Sequence, residues 1–309
     1  MKTILITGGS GLVGRALTEK LINKGYQVVW LSRKIDLNAP IPRYYWDYKT
    51  NKIDEEPLRK TDVIIHLAGE NIGAGRWTNK RKETIIESRV NTTKLLFETL
   101  KKINKKPEVF ISASAVGIYG NNINEKIYTE ADQSETNDFL TQVCEKWENS
   151  ADKLGEELGC RTVKIRTSMV ISPESEAFRK MLLPIKLSVG SPIGSGNQYV
   201  SWIHIDDLCQ IYMKAVEDET MSGAYNAVGS EHITNKKFME TFAKVMQKPF
   251  FFPNIPSFAM RILMGESADL VLGGSRISNE KLTSSNFTFQ YQTAESALQQ
   301  AVLALNKNR

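Results

Sequence analysis

Three glycines, Gly8, Gly11 and Gly14, fall in the run Thr7-Gly8-Gly9-Ser10-Gly11-Leu12-Val13-Gly14 with the spacing G-x-x-G-x-x-G. Glycines turn tightly and let a pyrophosphate approach the backbone, while free N–H groups at a helix start face its negative charge. Ser32 and Arg33 stand about 20 residues past that turn, where a dinucleotide-binding unit meets the adenine ribose. An acidic side chain there accepts from a ribose 2′-hydroxyl and favours NAD; a permanently charged, bidentate guanidinium suits a 2′-phosphate. The pattern predicts NADP(H), with Asp36 keeping NAD(H) as the alternative. Further on, Glu70, Asn71, Arg76 and Trp77 combine charge, amide and aromatic surface suited to a polar substrate. The competing reading of these four is a solvated loop around one core tryptophan.

Such groups need strands and helices to hold them. Thr3–Thr7 reads as a strand, and apolar residues at helical spacing (Leu12, Val13, Ala16, Leu17, Leu21, Ile22) run on to Gly25, a helix stop. Strands follow at 27–31, around Tyr44-Tyr45-Trp46, at 62–67, where the nearly unbroken apolar run marks a buried parallel strand, at 109–114 and at 162–166. Helices are expected over about 77–104 and over 138–158. This alternation predicts an α/β doubly wound parallel sheet with right-handed crossovers, a Rossmann domain. Glu70, Asn71, Arg76 and Trp77 then follow the carboxyl end of the 62–67 strand, where such sheets place ligands.

Beyond 166 the pattern changes. Residues 172–200 are rich in Gly, Pro and Ser around an amphipathic piece at 178–187. Trp202–Leu208 opens a helix, with Asp206 or Asp207 the expected N-cap. A further strand reads at 223–228, and the chain is mostly helical from 233 onward. The expected division is residues 1–171 plus about 201–228 for the Rossmann domain. Residues 172–200 plus 229–309 then form a smaller, mostly helical substrate-side domain, folded over the carboxyl edge of the sheet.

Composition narrows the function classes. In 309 residues, 41% hydrophobic and 24% charged content is ordinary for a globular protein with a proper core. The net charge of +5 is scattered on helices, which argues against a nucleic-acid partner. No apolar run approaches the ~20 residues that span a bilayer, so no membrane partner is expected. The amino terminus does not read as a signal peptide. Cys144, Cys160 and Cys209 are odd in number and far apart, and His66, His204 and His232 lack partners at ligand spacing. The expectation is a cytoplasmic, reduced protein with no metal.

The sequence then resembles a known family. The Thr7–Gly14 turn, Ala68-Gly69-Glu70-Asn71-Ile72, Gly75-Arg76-Trp77-Thr78, Ser88-Arg89-Val90, Ser112-Ala113-Ser114-Ala115-Val116-Gly117-Ile118-Tyr119-Gly120 and Trp202-Ile203-His204-Ile205-Asp206-Asp207 carry the likeness. They are similar to the extended, atypical short-chain dehydrogenase/reductases. More closely, they resemble the NAD(P)-dependent epimerase/dehydratase-like branch of nucleoside-diphosphate-sugar epimerase-like proteins with an appended C-terminal segment of unknown function. The likeness covers essentially the whole chain. It implies cofactor contacts from Thr7, Gly8, Gly9, Ser10, Gly11, Leu12, Val13 and Gly14, from Ser32 and Arg33, and from Leu67, Ala68, Gly69, Ser112 and Ala113.

The resemblance also implies a catalytic Ser, a Tyr as general acid/base, and a Lys four residues after the Tyr that lowers its pKa and holds the nicotinamide ribose. Ser114 matches the serine, in a turn one residue longer than that of the sugar epimerases. The pair does not match. Aligning Glu148 with the family's acidic residue four places beyond the lysine puts Leu140 at the tyrosine and Cys144 at the lysine. The chain has no Tyr between 129 and 198. Tyr119 is the second candidate acid/base, its alternative a packing residue beside the nicotinamide, and His204 a candidate substrate contact, its alternative a structural hydrogen bond with Asp206. Two readings remain. One is an NADP(H)-dependent oxidoreductase or epimerase acting on a small polar, perhaps sugar-nucleotide-like, molecule; the other is a non-catalytic NADP(H)-binding sensor or interaction protein.

Overall fold

A computed structural model describes residues 1–307. In chain order it begins β1 (Thr3–Thr7), α1 (Leu12–Asn23), β2 (Gln27–Ser32), β3 (Arg43–Asp47), β4 (Lys52–Ile53), α2 (Glu55–Lys60) and β5 (Val63–His66). It continues α3 (Asn79–Lys102), β6 (Val109–Ala115), β7 (Ile127–Tyr128), α4 (Phe139–Leu158) and β8 (Arg161–Thr167). After these come β9 (Met169–Ile171), α5 (Glu176–Lys186), β10 (Tyr199–Val200), β11 (Trp202–His204), α6 (Ile205–Glu217) and β12 (Gly223–Ala227). The last elements are β13 (Ile233–Thr234), α7 (Asn235–Val245), α8 (Ser257–Met264), α9 (Asp269–Leu272), β14 (Arg276–Ile277), α10 (Glu280–Ser284) and α11 (Ala294–Lys307).

Eight strands form the main sheet in the order β12-β8-β6-β5-β1-β2-β3-β4, every pair parallel except β3 with β4. The chain winds outward from β1 through β2 and β3, then returns to β5 beside β1 and winds to the other edge. This is the doubly wound Rossmann arrangement. The reversal between β1 and β5 opens a crevice at their carboxyl ends, where ligands bind in such sheets.

Strand alternation divides the core into two layers. Ile4, Ile6, Val28 and Ile65 face Leu17 and Leu21 of α1 and Leu208 and Ile211 of α6. Leu5, Val29, Ile64 and Phe110 face Leu95 and Leu96 of α3 and Leu154 of α4. Residues alternate across the sheet because the side-chain period of a strand is two. A third cluster gathers Phe178 of α5, Trp202 of β11, Phe238 and Phe242 of α7 and Leu298 of α11, so the later helices share an apolar core of their own.

Two helix starts show how local chemistry sets boundaries. Asp138 caps α4 by accepting from the Thr141 N–H at 3.0 Å, and Gly159 closes it at a left-handed φ of 63°. For α6 the structure corrects the expected cap: it is His204, whose Nδ1 accepts from the Asp206 N–H at 3.2 Å. Asp206 and Asp207 are engaged elsewhere. Asp206 pairs with Lys20 at 2.7 Å, and the Asp207 carboxylate accepts the backbone N–H groups of Gln290 (2.7 Å) and Tyr291 (3.1 Å).

Candidate functional site

The turn between β1 and α1 is a cradle that side chains would fill. Gly8 has φ +72°, and a Cβ there would stand 2.9 Å from the Leu67 carbonyl carbon and oxygen. A Cβ on Gly9 would meet the Trp30 indole at 2.4 Å, and one on Gly14 the Gly8 carbonyl oxygen at 2.5 Å. The Gly11 N–H closes the turn onto the Gly8 carbonyl at 3.0 Å. Among the described residues no side chain caps α1, and no acidic residue occupies its first turn. The N–H groups of Leu12, Val13 and Gly14 therefore start the helix without intrahelical acceptors, at the positive end of its dipole. Backbone clearance and unfilled donors fit a dinucleotide pyrophosphate.

Beside this cradle, His66 locks the two strands of the crevice together. Its Nδ1 lies 2.7 Å from Thr7 Oγ1 and its Nε2 3.2 Å from Thr92 Oγ1. The Thr92 hydroxyl donates to the Ser88 and Arg89 carbonyls (both 2.8 Å), so it accepts from Nε2–H. Thr7 accepts from the Ala68 N–H at 3.2 Å and donates to Nδ1. Complete burial pushes the imidazole pKa down to about 3, so the ring is neutral. In sequence His66 registers only as a histidine without metal partners. Its role depends on contacts 59 and 26 residues away.

After β2, Ser32 is half-buried and its Oγ accepts from the Lys34 N–H at 3.2 Å, while Arg33 and Asp36 are exposed. The Asp36 backbone pairs with Arg43 (3.0 and 2.9 Å), and Arg43 lies 5.4 Å over the Trp30 ring.

The residues suggested for chemistry fall into a closed polar network. The Ser114 hydroxyl donates to Glu148 Oε1 at 2.7 Å. Glu148 holds Arg166 in a two-pronged pair, Nε to Oε1 at 2.8 Å and Nη2 to Oε2 at 2.9 Å. Arg166 also donates to the Tyr119 hydroxyl (2.8 Å), which donates to Asn226 Oδ1 (2.6 Å). Burial pushes the Tyr119 hydroxyl up to about 12. The Glu148 carboxyl, despite its burial, is held below the usual range by the Arg166 guanidinium. Tyr119 is fully buried and its oxygen is committed on both sides, a poor position for exchanging protons with a ligand. Ser112 likewise turns inward, donating to the Ala113 carbonyl at 2.9 Å.

On α4, Leu140 and Cys144 both pack on Gly117. A Cβ there would lie 3.2 Å from Leu140 Cβ and 3.7 Å from Cys144 Sγ. Burial pushes the Cys144 thiol up to about 12, so it is not a thiolate. Lys146 is exposed, on another face of the helix.

Residues 67–78 run from the crevice toward the later helices. The Glu70 carboxylate pairs with Arg81 (3.1 Å), and the Glu70 N–H donates to Ser88 Oγ (3.0 Å). Asn71 Nδ2 donates to Glu176 of α5 at 2.5 Å. Arg76 donates to the Ile262 and Leu263 carbonyls at the end of α8. Trp77 packs with Ile85, Leu140, Val143 and Phe139, and its indole N–H reaches the Ile72 carbonyl at 2.9 Å. His204 stands apart from this group. Besides capping α6 it packs on Tyr291 at 3.9 Å, and burial pushes its pKa down to about 4.

Arg89 is the residue sequence reasoning passed over. It appears there only within Ser88-Arg89-Val90, yet its guanidinium lies along Gly69, with the Gly69 Cβ position 3.2 Å from Cζ. The available signal was periodic: Arg89 falls among the buried positions 85, 88, 92, 93 and 96 of α3, where a charge is unexpected.

Two open surface depressions, one between β4 and α3 and one beside α6, are lined by no residue of the glycine turn. Among the described residues no three His, Cys, Asp or Glu side chains gather as a metal cage. No helix among them is long and apolar enough to cross a membrane.

Residues 4–227 match the NAD dependent epimerase/dehydratase family, and residues 255–301 a domain of unknown function, DUF1731. The chain is 36% identical over 300 residues to the epimerase family protein YfhF of Bacillus subtilis, covering 97% of each. Among solved structures it is similar to the human epimerase family protein SDR39U1 with NADPH. The TM-score is 0.86 at 30% identity, covering 97% of this chain and 99% of that one. The UDP-glucose 4-epimerase of Thermotoga maritima shares the fold, with a TM-score of 0.80 at 17% identity, covering 99% of each.

Proposed function

The chain belongs to the NAD dependent epimerase/dehydratase family, as an NAD(P)-binding, epimerase-like extended short-chain dehydrogenase/reductase, and from that premise we propose that it binds NADP(H) and acts on a small polar, sugar-nucleotide-like molecule. The observation that carries the cofactor assignment is Arg33, exposed directly after β2, with Ser32 where an NAD site has a carboxylate. When bound, the cofactor supplies or accepts a hydride. The chain's part is to clamp the pyrophosphate with the glycine turn and α1, and to bring the 2′-phosphate to Arg33. Leu67, Ala68 and Gly69 line the cofactor, and Glu70, Asn71 and Arg76 offer polar groups to the substrate.

In this reading Ser114 and Tyr119 are structural members of the Glu148–Arg166 network, and the acid–base work of the family's Tyr–Lys pair is done elsewhere or not at all. Leu140 and Cys144, packed on Gly117, favour a second reading: a protein that binds NADP(H) without turning over substrate. Calorimetric titration tests the cofactor half. NADPH is expected to bind tighter than NADH by roughly 1–3 kcal/mol, the worth of charge-assisted hydrogen bonds, with Arg33→Ala erasing the difference. Equal affinities in the wild type refute it. Oxidation of NADPH against panels of carbonyls and nucleotide sugars separates the readings: turnover selects the enzyme, and its absence with intact binding selects the sensor.

A further inference from the structure

Helix α8 exposes its apolar side chains instead of burying them. None of its eight residues is buried, and Phe258, Ile262 and Leu263 are 68–71% exposed. Just before it, the exposed Phe251 stacks on Phe252 at 4.8 Å. On α5, Phe178, Leu182 and Ile185 pack inward with α7 and α11. Arg179, Leu183, Lys186 and, at the C-cap, Leu187 recur at helical spacing on the outer face, all exposed. The two stretches are joined. Ile255 pairs through its backbone with Pro192 and Gly194 (both 2.8 Å), and Asn254 donates to the Gly194 and Ser195 carbonyls (2.9 and 3.0 Å). The Lys236 N–H of α7 donates to the Gly196 carbonyl at 2.9 Å. More than half of the large apolar side chains exposed among the described residues lie in 183–189 and 251–263, a concentration unlike the scattered exposure of an ordinary surface.

The same segments gather the chain's charge. Residues 176–200 and 235–264 hold eight Lys and Arg against two acids, a net of +6, whereas the whole chain carries +5. Lys180, Lys237, Lys244 and Arg261 pair with Glu176, Glu240, Glu295 and Asp269; among the described residues Arg179, Lys186, Lys236 and Lys248 pair with no acid. Apolar tips beside unpaired cations fit an anionic lipid surface. A second copy fits less well, because a two-fold dimer sets each patch against itself and brings the unpaired cations together. We propose that this face docks on an anionic lipid bilayer, with Phe251, Phe258 and Ile262 at headgroup depth and Arg179, Lys186, Lys236 and Lys248 against lipid phosphates. No helix among the described residues is long and apolar enough to cross a membrane, and docking in the plane of the interface needs none. Arg76 holds the Ile262 and Leu263 carbonyls, so the docked face carries the 70–78 segment beside the bilayer. Docking does not depend on which cofactor the glycine turn holds.

Flotation of the full chain with vesicles tests the docking. Vesicles of phosphatidylcholine and phosphatidylglycerol in equal parts are expected to bind at least about tenfold more tightly than phosphatidylcholine alone, and to release the protein as salt is raised. Phe258→Ser with Ile262→Ser is expected to weaken binding to the anionic vesicles about tenfold or more by removing inserted apolar groups. Lys186→Glu with Lys236→Glu is expected to do the same by reversing charge. Ile22→Ser, at an exposed position of α1, is expected to bind as the wild type does. Circular dichroism checks that each variant is folded. A wild type that does not float with anionic vesicles at low salt overturns the docking, as does equal binding to both vesicle types. Folded patch variants that bind as the wild type does, or an equal loss by Ile22→Ser, overturn it too. A solution dimer that Phe258→Ser with Ile262→Ser dissociates, without vesicle binding, overturns it in favour of a second copy as the occupant.

Discussion

Ser114 and Glu148 are joined by a 2.7 Å hydrogen bond across 34 residues, from the carboxyl end of β6 to the inner face of α4. Glu148 simultaneously neutralises Arg166, and both side chains are less than a tenth exposed. A buried pair of this kind contributes little net stability, but removing one partner strands a charge. Glu148→Ala is therefore expected to destabilise by about 3–5 kcal/mol. Ser114→Ala, which removes one hydrogen bond to a charged group, is expected to cost about 1.5–3 kcal/mol. Urea unfolding measures both. A Ser114→Ala protein with wild-type stability but abolished turnover would return the serine to the chemistry.

Gly14 cannot accept a side chain without moving the turn, because its Cβ would press on the Gly8 carbonyl oxygen and the Gly9 Cα at 2.5 and 2.6 Å. Both contacts are backbone and neither can swing aside. Gly14→Ala is expected to keep the fold, seen by circular dichroism, while weakening NADPH at least about tenfold by displacing the pyrophosphate cradle. NADPH binding as tight as the wild type's would place the cofactor elsewhere.

His66 makes acid stability a readout of the crevice. Its folded pKa lies at about 3 against 6.5 for the free side chain, so as pH falls the unfolded chain takes up the proton first. The native preference is complete above pH 6.5 and is lost progressively toward pH 3, at roughly 1.4 kcal/mol per unit. Between pH 6.5 and 5 His66 alone is expected to cost about 2 kcal/mol. His204, lowered to about 4, adds in the same direction. His66→Leu is expected to be less stable than wild type at pH 7, where Thr7 and Thr92 lose a partner, yet to show a flatter decline below pH 6.5. A variant with the wild-type slope would refute the neutral, buried assignment.

The expected strand and helix alternation through residue 166 is what the structure contains, because those signals are local. Gly8-Gly9-Ser10-Gly11 after an apolar run, and the buried run of 62–67, carry their conformations in their own composition. The bounds 138–158 expected for α4 lie within one residue of its observed ends, where Asp138 and Gly159 cap it. The cap of α6 was not legible, because distant groups compete for the capping residue: Lys20 takes Asp206 and residues 290–291 take Asp207, leaving the cap to His204.

The sequence by itself determined the doubly wound fold and the glycine turn between β1 and α1, and it raised Arg33 after β2 and the misfit of the family's Tyr–Lys pair as expectations. Each is a matter of residue types at short spacing, where steric permission and periodicity act within one element. Only the tertiary structure decided what the polar residues do. Ser114 and Tyr119, candidate catalytic groups in sequence, are bound to Glu148, Arg166 and Asn226, while Arg89, only one residue of a family motif in sequence, is buried against Gly69 and Trp147. A hydroxyl or a guanidinium takes its role from whichever acceptor lies within about 3 Å. In a sheet wound by crossovers, that acceptor arrives from strands and helices tens of residues away.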